Sequence, residues 1–215
     1  MSKGAADKAV TRTPVRTGEY GTTVPVLRRV VAHPGDSPLV ELSIDLQNAP
    51  VPDRRYAADG VLVRRTEESI QVVFGQMQIT DPKQLQSAVL LKLSFDATRS
   101  FLTTCVDFTP RLRQFVKSNA VYKPGALQLS VEEPNHSVVM TASMVAAVFM
   151  AREACLDFYN ASPFAYRAMG KNGTHLAVDP VLRVELATGL LLSLMEQLEG
   201  LKAEIPEATK PGEGQ

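Results

Sequence analysis

The sequence predicts an α+β protein: antiparallel sheets with packed amphipathic helices, arranged as an internally duplicated strand-hairpin-strand-helix unit. Three observations predict it. Alternation of Val40, Leu42, Ile44 and Leu46 with Glu41, Ser43 and Asp45 marks a half-buried strand, and other runs repeat that period of two. Leu191, Leu194, Met195, Leu198 and Leu201 recur at helical spacing directly after the last strand. The same order of elements occurs twice along the chain. Hydrophobic residues make up 45% of 215, too many for a disordered chain and enough to build a core.

In the first half the strand Leu39–Leu46 is followed by Gly60–Ile79, two apolar runs around the polar Arg64–Ser69, which predicts a hairpin. The intervening Gln47–Asp59, with Pro50, Pro52, Arg54, Arg55 and Tyr56, reads as an ordinary connection. A strand Ala88–Phe95 comes next. Asp96 is the expected N-cap of a helix from Ala97 through Phe108. Pro110 then interrupts or kinks that helix, and Arg111–Ser118 add a further turn or two.

The second half offers the strand Ala126–Glu133, then Ser137–Met150 and Ala154–Asn160 around the polar Ala151–Glu153 as a second hairpin. A long loop, Ala161–Asp179, leads to the strand Val181–Leu186 and the helix Ala187–Lys202. Aligning Phe74 with Phe158 superimposes the hairpins, and aligning Phe95 with Leu186 superimposes the strand-to-helix junctions. The agreement points to a duplication over 39–118 and 126–202, although two amphipathic patterns can also agree by chance. Residues 1–22 and 206–215 lack any apolar period and are expected to be disordered tails. Lys3, Lys8, Arg12 and Arg16 make the first tail basic, either a solubilising segment or an arm for an acidic partner.

Hairpins ending in Val72-Val73-Phe74-Gly75-Gln76 and Leu156-Asp157-Phe158, each followed by a strand that runs into an amphipathic helix, resemble a family of short bacterial proteins with strands of the form LDFGQ. More loosely the topology is similar to that of the export chaperone SecB. The resemblance covers residues 39–118 and 126–202 once each and implies a non-enzymatic, polypeptide-binding role. The chain departs from that chaperone in being duplicated, electrically neutral and extended at its N-terminus.

Charge and motifs narrow the function classes. Lys plus Arg equals Asp plus Glu at 23 each, so the basic surplus of a nucleic-acid binder is missing. No apolar leader and no membrane span are evident in the sequence, which places the expected location in the cytoplasm. The two cysteines, Cys105 and Cys155, form no C-x-x-C and read as buried inert thiols. His33, His136 and His175 lack a second ligand at metal spacing, so neither a metal nor a cofactor is expected. Around Gly170-Lys171 a phosphate loop fails, because Ala165 stands where the first Gly is needed and Asn172 where Ser or Thr binds magnesium.

The expected function is therefore a non-enzymatic protein-binding module, chaperone-like or an assembly subunit. It would hold polypeptide on an exposed apolar sheet face or a helix seam. The candidate contact residues are Phe164, Tyr166 and Met169 in the long loop, and Leu191, Leu194, Met195, Leu198 and Leu201 on the last helix. Leu190 and Leu192 widen that stripe, which suits either core burial or a homo-oligomer seam, with Glu196, Gln197 and Glu199 on the wet side. Other proteins, including further copies of the chain, are the expected partners; nucleic acid and membrane are not. The alternative is a small ligand-binding protein or enzyme with a site under the 161–179 loop.

Overall fold

The computed structural model describes residues 20–23, 26–31, 40–45, 49–81, 83–124, 130–132, 138–161 and 178–206. Among the described residues, two sheets of mainly antiparallel strands and three α-helices enclose the main apolar core, so the α+β class holds. The strands are β1 (Tyr20–Thr23), β2 (Val26–Val31), β3 (Val40–Asp45), β4 (Arg55–Ala58), β5 (Gly60–Arg65), β6 (Ser69–Met77) and β7 (Gln84–Ser94). After the helices α1 (Phe95–Thr104) and α2 (Phe108–Ser118) come β8 (Ser130–Glu132), β9 (Val138–Ala142), β10 (Met144–Met150), β11 (Glu153–Asn160), β12 (Asp179–Ala187) and α3 (Thr188–Gly200).

The first sheet runs β5-β6-β7, with β8 and β9 both pairing parallel to the outer side of β7. The second runs β1-β10-β11-β12-β4, with β4 parallel to β12. β2 and β3 form a separate antiparallel ribbon. Each sheet contains a three-strand meander because two-residue turns join its first two strands: Thr66 N–H donates to Ser69 O around Glu67-Glu68, and Met150 pairs with Glu153 around Ala151-Arg152. Each meander runs straight into a helix, at Phe95 and at Thr188.

Several expectations need correcting. Gln47–Asp59 is not a plain connection, since Arg55–Ala58 is a strand, and it pairs in the sheet of the opposite half. Ser137–Met150 is not one strand but two, bent at Ser143. The helix after β7 is capped by Ser94, whose Oγ accepts from Ala97 N–H at 3.1 Å; Asp96 sits in the first turn instead. That helix stops at Cys105, whose carbonyl accepts from both Phe108 and Thr109 N–H. Pro110 does not break a helix. It lies in the first turn of α2, where a missing N–H costs no intrahelical bond. Tyr20–Thr22, at the end of the segment expected to be disordered, are strand. The strands Leu39–Leu46 and Ala126–Glu133 are not counterparts: β3 pairs antiparallel with β2, and β8 parallel with β7.

Inward-facing residues of both sheets share the core with the helices: Ile70, Val72 and Phe74 on β6, Leu91 and Leu93 on β7, Leu156 and Phe158 on β11, Leu182 and Val184 on β12. The expected repeats therefore do not have separate cores. Phe74 and Phe158 meet edge to face, ring centres 6.0 Å apart. α1 packs on β10 of the second sheet, while α3 packs on β5 of the first.

Enclosure explains α3. Leu190, Leu191, Leu192, Leu194, Met195 and Leu198 are all buried, and Leu201 is half-buried. An arc wider than one sheet contact requires is used within the chain, because α3 touches β5, β12, α1 and α2. The helix seam is thus covered. Its polar side is occupied too: Gln197 Oε1 accepts from Val63 N–H at 3.0 Å and its Nε2 donates to the Val61 carbonyl at 3.5 Å. That side-chain amide caps the free edge of β5 as a neighbouring strand would. Glu196 pairs with Arg113 at 3.5 Å and with Lys123, tying α3 to α2 and the segment after it.

Candidate functional site

Two open clefts lie on the outer sheet faces. One, of about 590 Å³, lies on the second sheet and is lined by Val148 and Met150 of β10, Glu153 and Cys155 of β11, Arg183 and Glu185 of β12, and Arg152 of the turn. Strand alternation places them there. On β11, Ala154, Leu156 and Phe158 point to the core, so Cys155, Asp157 and Tyr159 take the other face. Met150 is 49% exposed at one end of the cleft, although Leu156 and Phe158 one layer below are fully buried.

Beside the cleft, Arg183 Nε and Nη2 donate to Asp157 Oδ1 and Oδ2 at 2.6 and 2.7 Å, a bidentate pair across β12 and β11. The hydrogen bond to Asp157 raises the Arg183 pKa above its ordinary value, which locks the guanidinium in its charged form. Burial, then the neighbouring Asp157 carboxylate, push the Cys155 thiol up, so it is a poor thiolate rather than an activated nucleophile. The same two causes push the Tyr159 phenol up to about 12. Cys155 is half-buried rather than fully buried, because it faces the cleft; Cys105, at the end of α1, is buried as expected.

The second cleft, about 600 Å³, lies over the first sheet. Ser69, Gln71, Lys92, Ser94 and Thr141 line it, with Ser143 and Asn160 at its margin. Its walls are hydroxyls, amides and charges. The rest of that outer face is apolar: Leu62, Val73, Leu90 and Val139 stand in register across β5, β6, β7 and β9. Val73 and Leu90 are buried and Val139 is exposed.

Of the residues expected from sequence to contact a partner, Leu191, Leu194, Met195 and Leu198 are core and Leu201 is half-buried. Phe164, Tyr166 and Met169 lie outside the described residues, as do His33, His136 and His175. Sequence reasoning missed Met150, Arg152 and the Asp157–Arg183 pair. The outward half of the alternation in EACLDFYN was the available signal for the pair, since it puts Cys155, Asp157 and Tyr159 on one face. Among the described residues no group of three or more His, Cys, Asp or Glu is placed to hold a metal ion. No described helix is long and apolar enough to cross a membrane. Comparison with family models, curated proteins and solved structures gives no match.

Proposed function

We propose that the protein is a non-enzymatic binding module for polypeptide, chaperone-like or an assembly subunit, and that its contact surface is the outer face of the second sheet. One observation carries the reading: the half-exposed Met150 lies with Val148 in an open cleft rimmed by Arg152, Glu153 and Glu185. An apolar centre with a polar rim is the anatomy of a protein contact, and a flexible thioether adapts to varied side chains. The loose resemblance to SecB suggested by the order of elements in the sequence points to the same class. With α3 enclosed, the proposed self-association also falls to this face. An internal duplication belongs to the reading, supported by the two meanders that each run into a helix.

The test is fluorescence anisotropy of a labelled, reduced and carboxymethylated polypeptide titrated with the protein. Binding in the micromolar range, weakened about tenfold by Met150→Glu, is expected; tenfold corresponds to about 1.4 kcal/mol. Absence of binding, or equal binding by the variant, refutes the reading. A second reading, a small-ligand site at the base of the 161–179 loop, is favoured by the polar cleft that reaches Ser143 and Asn160. A thermal shift with small polar metabolites, abolished by Lys92→Ala, would favour it instead.

A further inference from the structure

The pairing of the two meanders extends beyond their order. Val61 pairs with Phe74 and Val145 with Phe158; Phe74 pairs with Val89 and Phe158 with Leu182. A register shift follows each phenylalanine, between Phe74 and Gly75 and between Phe158 and Tyr159. Ala58 sits opposite Leu186, and Ala142 opposite Leu93. These registers make Leu93 the counterpart of Leu186, two residues from the alignment the sequence suggested, and they match Phe95 with Thr188 as the first residue of each helix.

The bends agree as well. Asp59 N–H donates to the Gly75 carbonyl at 3.1 Å and Ser143 N–H to the Tyr159 carbonyl at 2.9 Å. Asp59 Oδ1 accepts from Met77 N–H, and Ser143 Oγ from Ala161 N–H, at 2.6 and 3.0 Å. Each bend sends the strand before it out of its own meander. β4 precedes the first meander but pairs with the last strand of the second; β9 precedes the second but pairs with the last strand of the first. The helices cross in the same sense, α1 onto β10 and α3 onto β5.

We propose that the halves are bound to one another through a self-complementary, strand-exchanged interface of the kind that joins two copies in a homodimer, and that this interface rather than the connecting segment 119–129 holds them together. Element i of one half touches element j of the other and the reverse contact recurs, which defines an isologous interface. Phe74 and Phe158 occupy equivalent places and touch each other, as equivalent residues do at a twofold axis. The partner that fits either half is therefore the other half, from the same chain or from a second copy. The proposal rests on the equivalence of the halves but adds a physical claim that the duplication reading does not make.

The experiment uses the full chain with a protease recognition sequence inserted after Pro124. After cutting, the halves should elute together at the mass of the intact chain at micromolar concentration, with an unchanged circular dichroism spectrum. Cut chains refolded together, one isotopically heavy, should give mixed heavy–light pairs by native mass spectrometry. Halves that separate or precipitate on cutting overturn the proposal while leaving the equal registers, and so the duplication reading, in place. Hydrogen exchange on the unaltered chain is a second check. The amides of Arg55–Ala58 and Val138–Ala142 that bond across should exchange only with global unfolding, and early release of either strand contradicts the proposal.

Discussion

Asp157 and Arg183 pair across β11 and β12 at the positions where Val73 and Leu90 pair across β6 and β7. One half thus uses an ion pair where the other uses two apolar side chains. The pair is bidentate and mostly desolvated, with side-chain exposures of 13% for Asp157 and 22% for Arg183. Asp157→Ala leaves a half-buried guanidinium without its carboxylate. Breaking such a pair costs about 3 kcal/mol here, the low end for buried pairs because water still reaches the rim. In a chain of this size that loss lowers Tm by about 6–12 °C. The double variant Asp157→Val with Arg183→Leu copies the first half. It removes both desolvation penalties together, so its stability should fall within about 1 kcal/mol of the parent. Urea unfolding of the parent, both single variants and the double variant gives the coupling energy directly. A double variant as unstable as the two single losses added together would refute the equivalence of these positions.

Gly189→Ala should destabilise by about 1–3 kcal/mol, read by urea unfolding, since it is a clash between packed backbones; an added Cβ would lie 1.9 Å from the Tyr122 carbonyl oxygen. Ala151→Gly should stabilise by about 1 kcal/mol in the same assay, because Ala151 has φ 53° at a hairpin turn, a conformation that strains an L side chain. The Tyr159 phenol is held protonated up to about 12. An acid whose pKa is raised by folding contributes stability that is present below its unfolded pKa and lost as pH rises through the folded one. Stability should therefore decline between about pH 10 and 12 in the parent, and more shallowly in Tyr159→Phe, when followed by circular dichroism.

Short-range pattern made the meanders legible. The apolar runs of Gly60–Ile79 and Ala154–Asn160, the two polar turns and the passage from strand to helix all depend on neighbours a few residues apart. The structure has strands, turns and helices there, with the first helix capped by Ser94 rather than by the expected Asp96. The crossing strands were not. Arg55–Ala58 is only four residues long, and its partner lies far along the chain in the other half, so no local period announces it. The same distance hides the amide of Gln197 on the edge of β5, a contact separated by 134 residues. A wide leucine arc is ambiguous for a related reason: the period shows how much surface α3 buries, while only the tertiary arrangement shows that α1, α2, β5 and β12 cover it. For the candidate site, the outward row Cys155, Asp157 and Tyr159 was implicit in the alternation. The exposure of Met150 was not, because an apolar residue at a strand end reads as core.

Cys155 offers the most direct measurement of where polypeptide binds, since it lies in the cleft with Met150 and Arg183 while Cys105 is buried. The rate of thiol modification at Cys155 is followed by mass spectrometry at mildly alkaline pH, with and without a saturating unfolded polypeptide. The proposed surface predicts that the polypeptide slows modification of Cys155 in proportion to its occupancy, and that Met150→Glu shifts the polypeptide concentration needed for half protection about tenfold upward. An unchanged rate at saturation, with binding still seen by anisotropy, would contradict the assignment of the outer face of the second sheet as the contact surface.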